Sequence, residues 1–235
     1  AIPGNAHLQA LRALCLAVLL FPSAPSVPHS GRQGSFESGL VGADRALRDP
    51  SDMNPAFSVI VDLEATCCNQ GSVARHEMEI IEIGAVAVAF GTGEIVSEFQ
   101  AFVRPVRRKV LTEFCRELTS ITQDQVSEAE TYPVVHQAFR EWLSGLGGDH
   151  EFCSWGAYDK KQFEQDCAYH KVPYPFVGTH RNLKAEFTAL QRTKKRFGLG
   201  QALRKLGFEF EGTPHRGIDD ARNIARVYEH IHRVG

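Results

Sequence analysis

Four acidic residues sit where acids are unexpected. Asp62 and Glu64 flank Leu63 directly after the apolar run Val59–Val61. Along a strand, residues i and i+2 share a face, so the two carboxylates point together if the strand continues past Val61. Two carboxylates on one face repel unless cations or protons join them. Asp159 follows another apolar stretch, "EFCSWG", at the start of a helical pattern. Asp219 and Asp220 open an amphipathic helix, and His215 precedes them in a loop. The apolar face of that helix carries Ile224, Val227, Tyr228 and Ile231. Asp220 lies four residues before Ile224 and therefore shares the inward face; Asp219 lies nearer solvent.

Each feature also has a bland explanation. A strand can run out into a polar loop. Acids are common in the first turn of a helix, and a lone loop histidine is commonly exposed and idle. The features coincide at the carboxyl ends of core strands and the starts of helices, where α/β sheets bind ligands. Asp62, Glu64, Asp159 and Asp220 would then form an all-oxygen donor set, which suits hard cations such as Mg²⁺ or Mn²⁺. Acids in that number suit two ions clamping the attacking and leaving oxygens of an in-line phosphoryl displacement. Histidine is the side chain best suited to take a proton near neutrality, and His215 is the candidate base.

Several elements must position these residues. Phe57–Val61, Ile80–Phe90 and Ile95–Val103 read as an antiparallel meander. Helical pieces follow at Leu111–Glu117, Thr122–Val126 and Val134–Leu146, then a strand at Glu151–Gly156 and a helix at Asp159–His170. "RNLKAEF" is expected to begin a short fifth strand, with helices at Gly198–Phe208 and Asp219–His232. The fold class is α/β: a mixed five-stranded sheet, meander plus parallel strands, flanked by helices.

The motifs "VDLEAT", "SWGAYD" and "HRGIDD" resemble the DxE, D and HxxxxD signatures of the DEDDh (DnaQ-like) 3′→5′ exonucleases. "EIIEIGAV", "ELTSITQDQV" and "HRGIDDARNIARV" resemble the Eri-type branch, relatives of the 3′ histone mRNA exonuclease. The resemblance runs from Phe57 to Ile231. It implies an RNase H-like fold and a two-metal exonuclease. Asp62, Glu64, Asp159 and Asp220 would be the metal ligands, two Mg²⁺ (or Mn²⁺) the cofactor, and His215 the general base. Thr66 and Cys67 would meet the terminal nucleotide, largely through backbone. Tyr158 and Phe114 would hold its base, with Leu118 and Thr119 in the same loop. Stacking tolerates any base. The expected reaction releases nucleoside 5′-monophosphates from single-stranded 3′ ends, with RNA the expected partner. The alternatives are a DNA exonuclease of proofreading or repair type and a silent RNA-binding module on the same fold. Nothing resembles the SAP-like domain or zinc-finger tail of longer members, so the target choice of the animal enzymes is not carried over.

Bulk properties leave room for this reading. The 235 residues carry a formal charge of -2. A nucleic-acid partner therefore needs local positive charge, and "RPVRRK" (104–109) and "QRTKKRFGLGQALRK" (191–205) are the basic clusters that could supply it. The six cysteines include no CxxC pair, which argues against a zinc site or a disulfide framework and fits a reducing, cytoplasmic setting. Residues 1–52 differ in composition, with an apolar run at Ala13–Phe21 followed by Pro, Ser and Gly clusters. They are expected to be a disordered or non-native extension before an exonuclease domain at 53–235. Export would follow only if the apolar run is a signal peptide. No run is long enough to span a membrane.

Overall fold

Five strands assemble in the spatial order β3-β2-β1-β4-β5. The computed structural model describes residues 56–147 and 149–234; the expected extension over 1–52 lies outside them. β1 (Phe57–Ala65) pairs antiparallel with β2 (Ile80–Ala89), and β2 with β3 (Ile95–Phe102). On the other side, β4 (His150–Ser154) runs parallel to β1, and β5 (His180–Asn182) parallel to β4. This is the mixed sheet that the alternating strand and helix patterns predict.

Among the described residues, α1 (Glu113–Thr119), α2 (Gln123–Glu128) and α3 (Tyr132–Gly145) lie between β3 and β4, α4 (Tyr158–His170) lies between β4 and β5, and α5 (Leu183–Leu190), α6 (Leu199–Lys205) and α7 (Gly217–Val234) follow β5. The period of two in β1 divides the core. Val59, Val61 and Leu63 pack with Phe139 of α3 and Phe163 of α4. Ile60 packs on the other face with Leu183 and Phe187 of α5 and with Ile224, Val227 and Tyr228 of α7. Asp62 and Glu64 continue the series of Ile60, so they lie on the α7 face. Among the described residues, no helix is long and apolar enough to cross a membrane.

The fifth strand is shorter and earlier than the sequence suggests. It ends at Asn182, whose side-chain oxygen accepts from the Ala185 N–H at 3.0 Å and caps α5. "LKAEF" is therefore helix. An Asn followed by good helix formers is a start signal, and it outweighs the apolar character of the segment.

The approach of α7 to the sheet depends on two glycines. A Cβ on Gly84 would lie 2.0 Å from the Gly217 carbonyl carbon, and one on Gly217 would lie 2.8 Å from the Asp62 carbonyl oxygen. Gly84 is the β2 partner of Asp62. Absent side chains at this crossing let the first turn of α7 rest directly on the sheet beside Asp62.

Candidate active site

Three elements deliver the acids. β1 stays paired with β2 through Glu64, in the register Asp62↔Gly84 and Glu64↔Glu82, before a bulge at Glu64/Ala65. The strand thus carries both acids on one face. Asp159 lies in the first turn of α4 and is 4% exposed; its Oδ1 accepts from the Leu63 N–H at 3.1 Å, tying α4 to β1. Asp220 lies in the first turn of α7 and is 9% exposed; its Oδ2 accepts from the His215 N–H at 2.7 Å. Neighbouring Asp219 instead accepts from the Thr213 N–H and pairs with Arg222. Side-chain ligand atoms of Glu64, His215 and Asp220 all lie within 4.8 Å of one another. His215 is solvent-exposed, with φ of 61°.

These acids resist ionising together. Burial, then the charges of Asp159, Asp220 and Glu64, hold the Asp62 carboxyl well above the usual carboxylate range. Burial, then Asp220 and Glu82, push Glu64 up to about 9. Burial raises Asp220 to about 7 against the opposing His215 N–H bond, and raises Asp159 to about 6 against the Leu63 N–H. Such a cluster fits divalent cations: it offers hard oxygen donors, and cations would relieve the repulsion that otherwise calls for protons. Asp62, Glu64, Asp159 and Asp220 are the residues that could hold them.

A model of the RNase_T exonuclease family matches residues 59–228, most of the chain. The nuclease domain of 3′hExo, a DEDDh family member solved with rAMP, superposes with a TM-score of 0.70 at 34% identity, covering 77% of this chain and 94% of that one. The chain belongs to the DEDDh exonuclease family. Rat 3′-5′ exoribonuclease 1 is 36% identical over 178 residues, 73% of this chain and 51% of that protein. Mouse ERI1 exoribonuclease 2 is 35% identical over 191 residues, 72% of this chain and 28% of that protein. The chain thus spans about half the length of the first relative and less of the second. Both the RNase H-like fold and the Eri-type resemblance hold.

Around these four acids and His215, the other expected site residues are placed unevenly. Tyr158, the first residue of α4, is half-buried, and the Arg75 guanidinium lies 4.7 Å from its ring centroid. Phe114 lines a cleft of about 400 Å³ with Cys68, Asn69, Gln70, Ser72, Thr112, Glu113 and Glu117. Cys67 packs beside Cys115, and its carbonyl accepts from the Thr112 hydroxyl at 2.6 Å. Thr66 is buried and brackets Glu79: its N–H donates to the Glu79 carbonyl, and its hydroxyl accepts from the Glu79 N–H. Leu118 is half-buried in α1. Thr119 is 0% exposed, and its hydroxyl donates to the Cys115 carbonyl and accepts from the Ile121 N–H. That hydroxyl is committed to the α1–α2 corner and is not available to a nucleotide.

The two basic clusters differ sharply. In the first, the Arg107 guanidinium donates to the carbonyls of His76 and Met78 and lies over the Tyr169 ring, while Arg108 pairs with Glu77. The N–H groups of Val106, Arg107 and Arg108 all donate to the Glu79 carboxylate. These arginines fasten the segment after β1 in place. In the second, no carboxylate among the described residues pairs with Arg192, Lys194, Lys195 or Arg196, and all four are exposed. Trp155, four residues before Asp159, donates its indole N–H to the Phe197 carbonyl at 3.2 Å and ties this loop to the end of β4. Sequence reasoning passed over Glu82, Arg216 and Arg75. Glu82 did carry a signal: a carboxylate inside the apolar run "IIEIGAV" must be paired if buried.

Proposed function

We propose that this chain is a metal-dependent 3′→5′ exoribonuclease that releases nucleoside 5′-monophosphates from single-stranded 3′ ends. The observation that carries the reading is the convergence of four acids from three separate segments beside an exposed histidine, in a family whose relatives here are named exoribonucleases. Asp62, Glu64, Asp159 and Asp220 would hold two Mg²⁺ or Mn²⁺ ions. When bound, such ions neutralise the carboxylates and the developing phosphate charge, and they lower the pKa of a coordinated water.

His215 is assigned as general base. Its ring can reach the acid cluster from solvent, and its exposure leaves a path for the proton to leave. Tyr158 is assigned as the platform for the terminal base, with Phe114 in its cleft and Leu118 of the same helix as further contacts. Thr66 and Cys67 are assigned to the nucleotide through their backbone. The 192–196 loop is assigned to the phosphates upstream of the terminal nucleotide, because its charge is uncommitted and it is tied to the strand leading to Asp159.

The test is hydrolysis of 5′-labelled single-stranded RNA and DNA of one sequence, side by side, with Mg²⁺, Mn²⁺ or chelator. The expected result is a ladder shortening from the 3′ end, faster on RNA and absent in chelator, with 5′-monophosphate products. Cuts in a circular RNA would overturn the exonuclease reading. Equal or faster hydrolysis of DNA would overturn the RNA preference.

A further inference from the structure

We propose that Glu82 is a positioning residue for the reaction: it holds the backbone on which His215 sits, and so places the imidazole against Glu64 and Asp220. The inference rests on the reading of His215 as general base.

Glu82 lies in the middle of β2, opposite Glu64, and is 0% exposed. Its carboxylate is fully engaged. Oε2 accepts from Arg216 Nε at 3.1 Å and from the Gly217 N–H at 3.0 Å; Oε1 accepts from Arg216 Nη2 at 3.2 Å and from Gln100 Nε2 at 2.8 Å. Three of these four bonds come from the two residues that directly follow His215. The Arg216 guanidinium also lies 5.1 Å from the Phe102 ring centroid, which fixes its approach.

His215 needs such an anchor for two reasons. Its φ of 61° is left-handed, a conformation that is costly for a non-glycine residue and persists only where the surroundings over-determine it. Its exposed imidazole also makes no hydrogen bond among the described residues. Many catalytic histidines are oriented by a carboxylate on the second ring nitrogen; here, among the described residues, the contacts that fix the residue are those of its own and the following backbone. That backbone is clamped from both sides. Asp220 accepts the His215 N–H, and Glu82 takes the next two residues. Glu82 does not touch the reacting atoms.

A double-mutant cycle at saturating Mn²⁺ tests this in the full chain. E82Q keeps an acceptor for the Gly217 N–H but loses the charge that holds Arg216. We expect kcat to fall by roughly 10- to 100-fold, the scale of loss for a reacting group displaced by about 1 Å. KM should stay within about threefold, and so should the Mn²⁺ concentration for half-maximal thermal stabilisation. In an H215A background, E82Q should cost less than about twofold more, because residues that act through one another are not additive. A merely structural role would give the same loss in both backgrounds and overturns the inference. So does a loss that vanishes as Mn²⁺ is raised, or parent-like kcat for E82Q beside an impaired H215A. If H215A itself matches the parent, the base assignment falls and this inference with it. Should E82Q lose its cooperative melt, R216Q removes the same anchor from the half-exposed side and carries the same expectations.

Discussion

Acids confined in one place cannot all ionise unless positive charge joins them, and that makes the site sensitive to single substitutions. Asp62 is raised by burial and by four neighbouring acids, so its removal relieves repulsion. Asp62→Ala should abolish nucleotide release, by 10³-fold or more on the scale of lost electrostatic stabilisation. Its melting temperature in chelator should match or exceed the parent's, which a thermal melt would read directly. A large drop would mean that Asp62 holds the fold rather than the charge balance. Tyr158 makes a different contribution. If it stacks on the terminal base, Tyr158→Ala should raise KM by about 5- to 100-fold, the range for one lost base–aromatic stack. Tyr158→Phe should leave KM near the parent value. Equal effects would point to the hydroxyl instead of the ring.

At the scale of elements, the site depends on how α7 meets the sheet. Gly84 and Gly217 let the helix start against β1 and β2, and that contact sets Asp220 and His215 opposite Glu64. Gly84→Ala would force backbone atoms apart at a 2.0 Å contact. Overpacking of this kind costs about 1–3 kcal/mol. We expect a lower melting temperature and a loss of kcat larger than that destabilisation explains, because the first turn of α7 must shift. A variant with parent-like turnover would show that α7 can move without disturbing the acids. The α5–α6 loop makes its own prediction. A chain with Lys194, Lys195 and Arg196 all changed to Gln should lose affinity for long single-stranded RNA. The slope of log affinity against log salt should shrink by about 2, at roughly 0.7 per charge on single strands. Cleavage of a dinucleotide, too short to reach an upstream site, should not change. An unaltered slope would remove the loop from the RNA path.

Over the whole molecule, the raised carboxylates couple stability to pH and to metal. Asp159 at about 6, Asp220 at about 7 and Glu64 at about 9 all exceed the unfolded values near 4. Between those limits the folded state binds more protons than the unfolded one. Stability from these groups is therefore fully present below the unfolded pKa and is lost as pH rises through the folded values. In chelator, the melting temperature should fall from pH 5.5 to 8.5, and Asp220→Asn should flatten part of that fall. Mg²⁺ or Mn²⁺ should restore stability more at pH 8 than at pH 6, since binding must displace protons. A melting temperature in chelator that stays level or climbs with pH would contradict the mutual repulsion of the acids.

Much of this was legible in the amino-acid order. Asp62 and Glu64 share a face because a strand repeats every two residues, and Asp220 was separable from Asp219 because a helix repeats every 3.6. These are local periodicities, and local periodicity survives without knowledge of partners. The sheet followed from the order of strand-like and helix-like runs, except for β5, too short at His180–Asn182 to show a period. Only the tertiary structure decided what depends on distant partners. It separated two similar basic clusters, because Arg108 meets a carboxylate 31 residues away while the 192–196 loop meets none among the described residues. It buried the Thr119 hydroxyl in a helix corner. It also set the left-handed His215 against the acids through a carboxylate 134 positions from Arg216 in the chain. Sequence determined which groups are candidates for the chemistry; the fold determined which of them are brought together and which are tied up in other contacts.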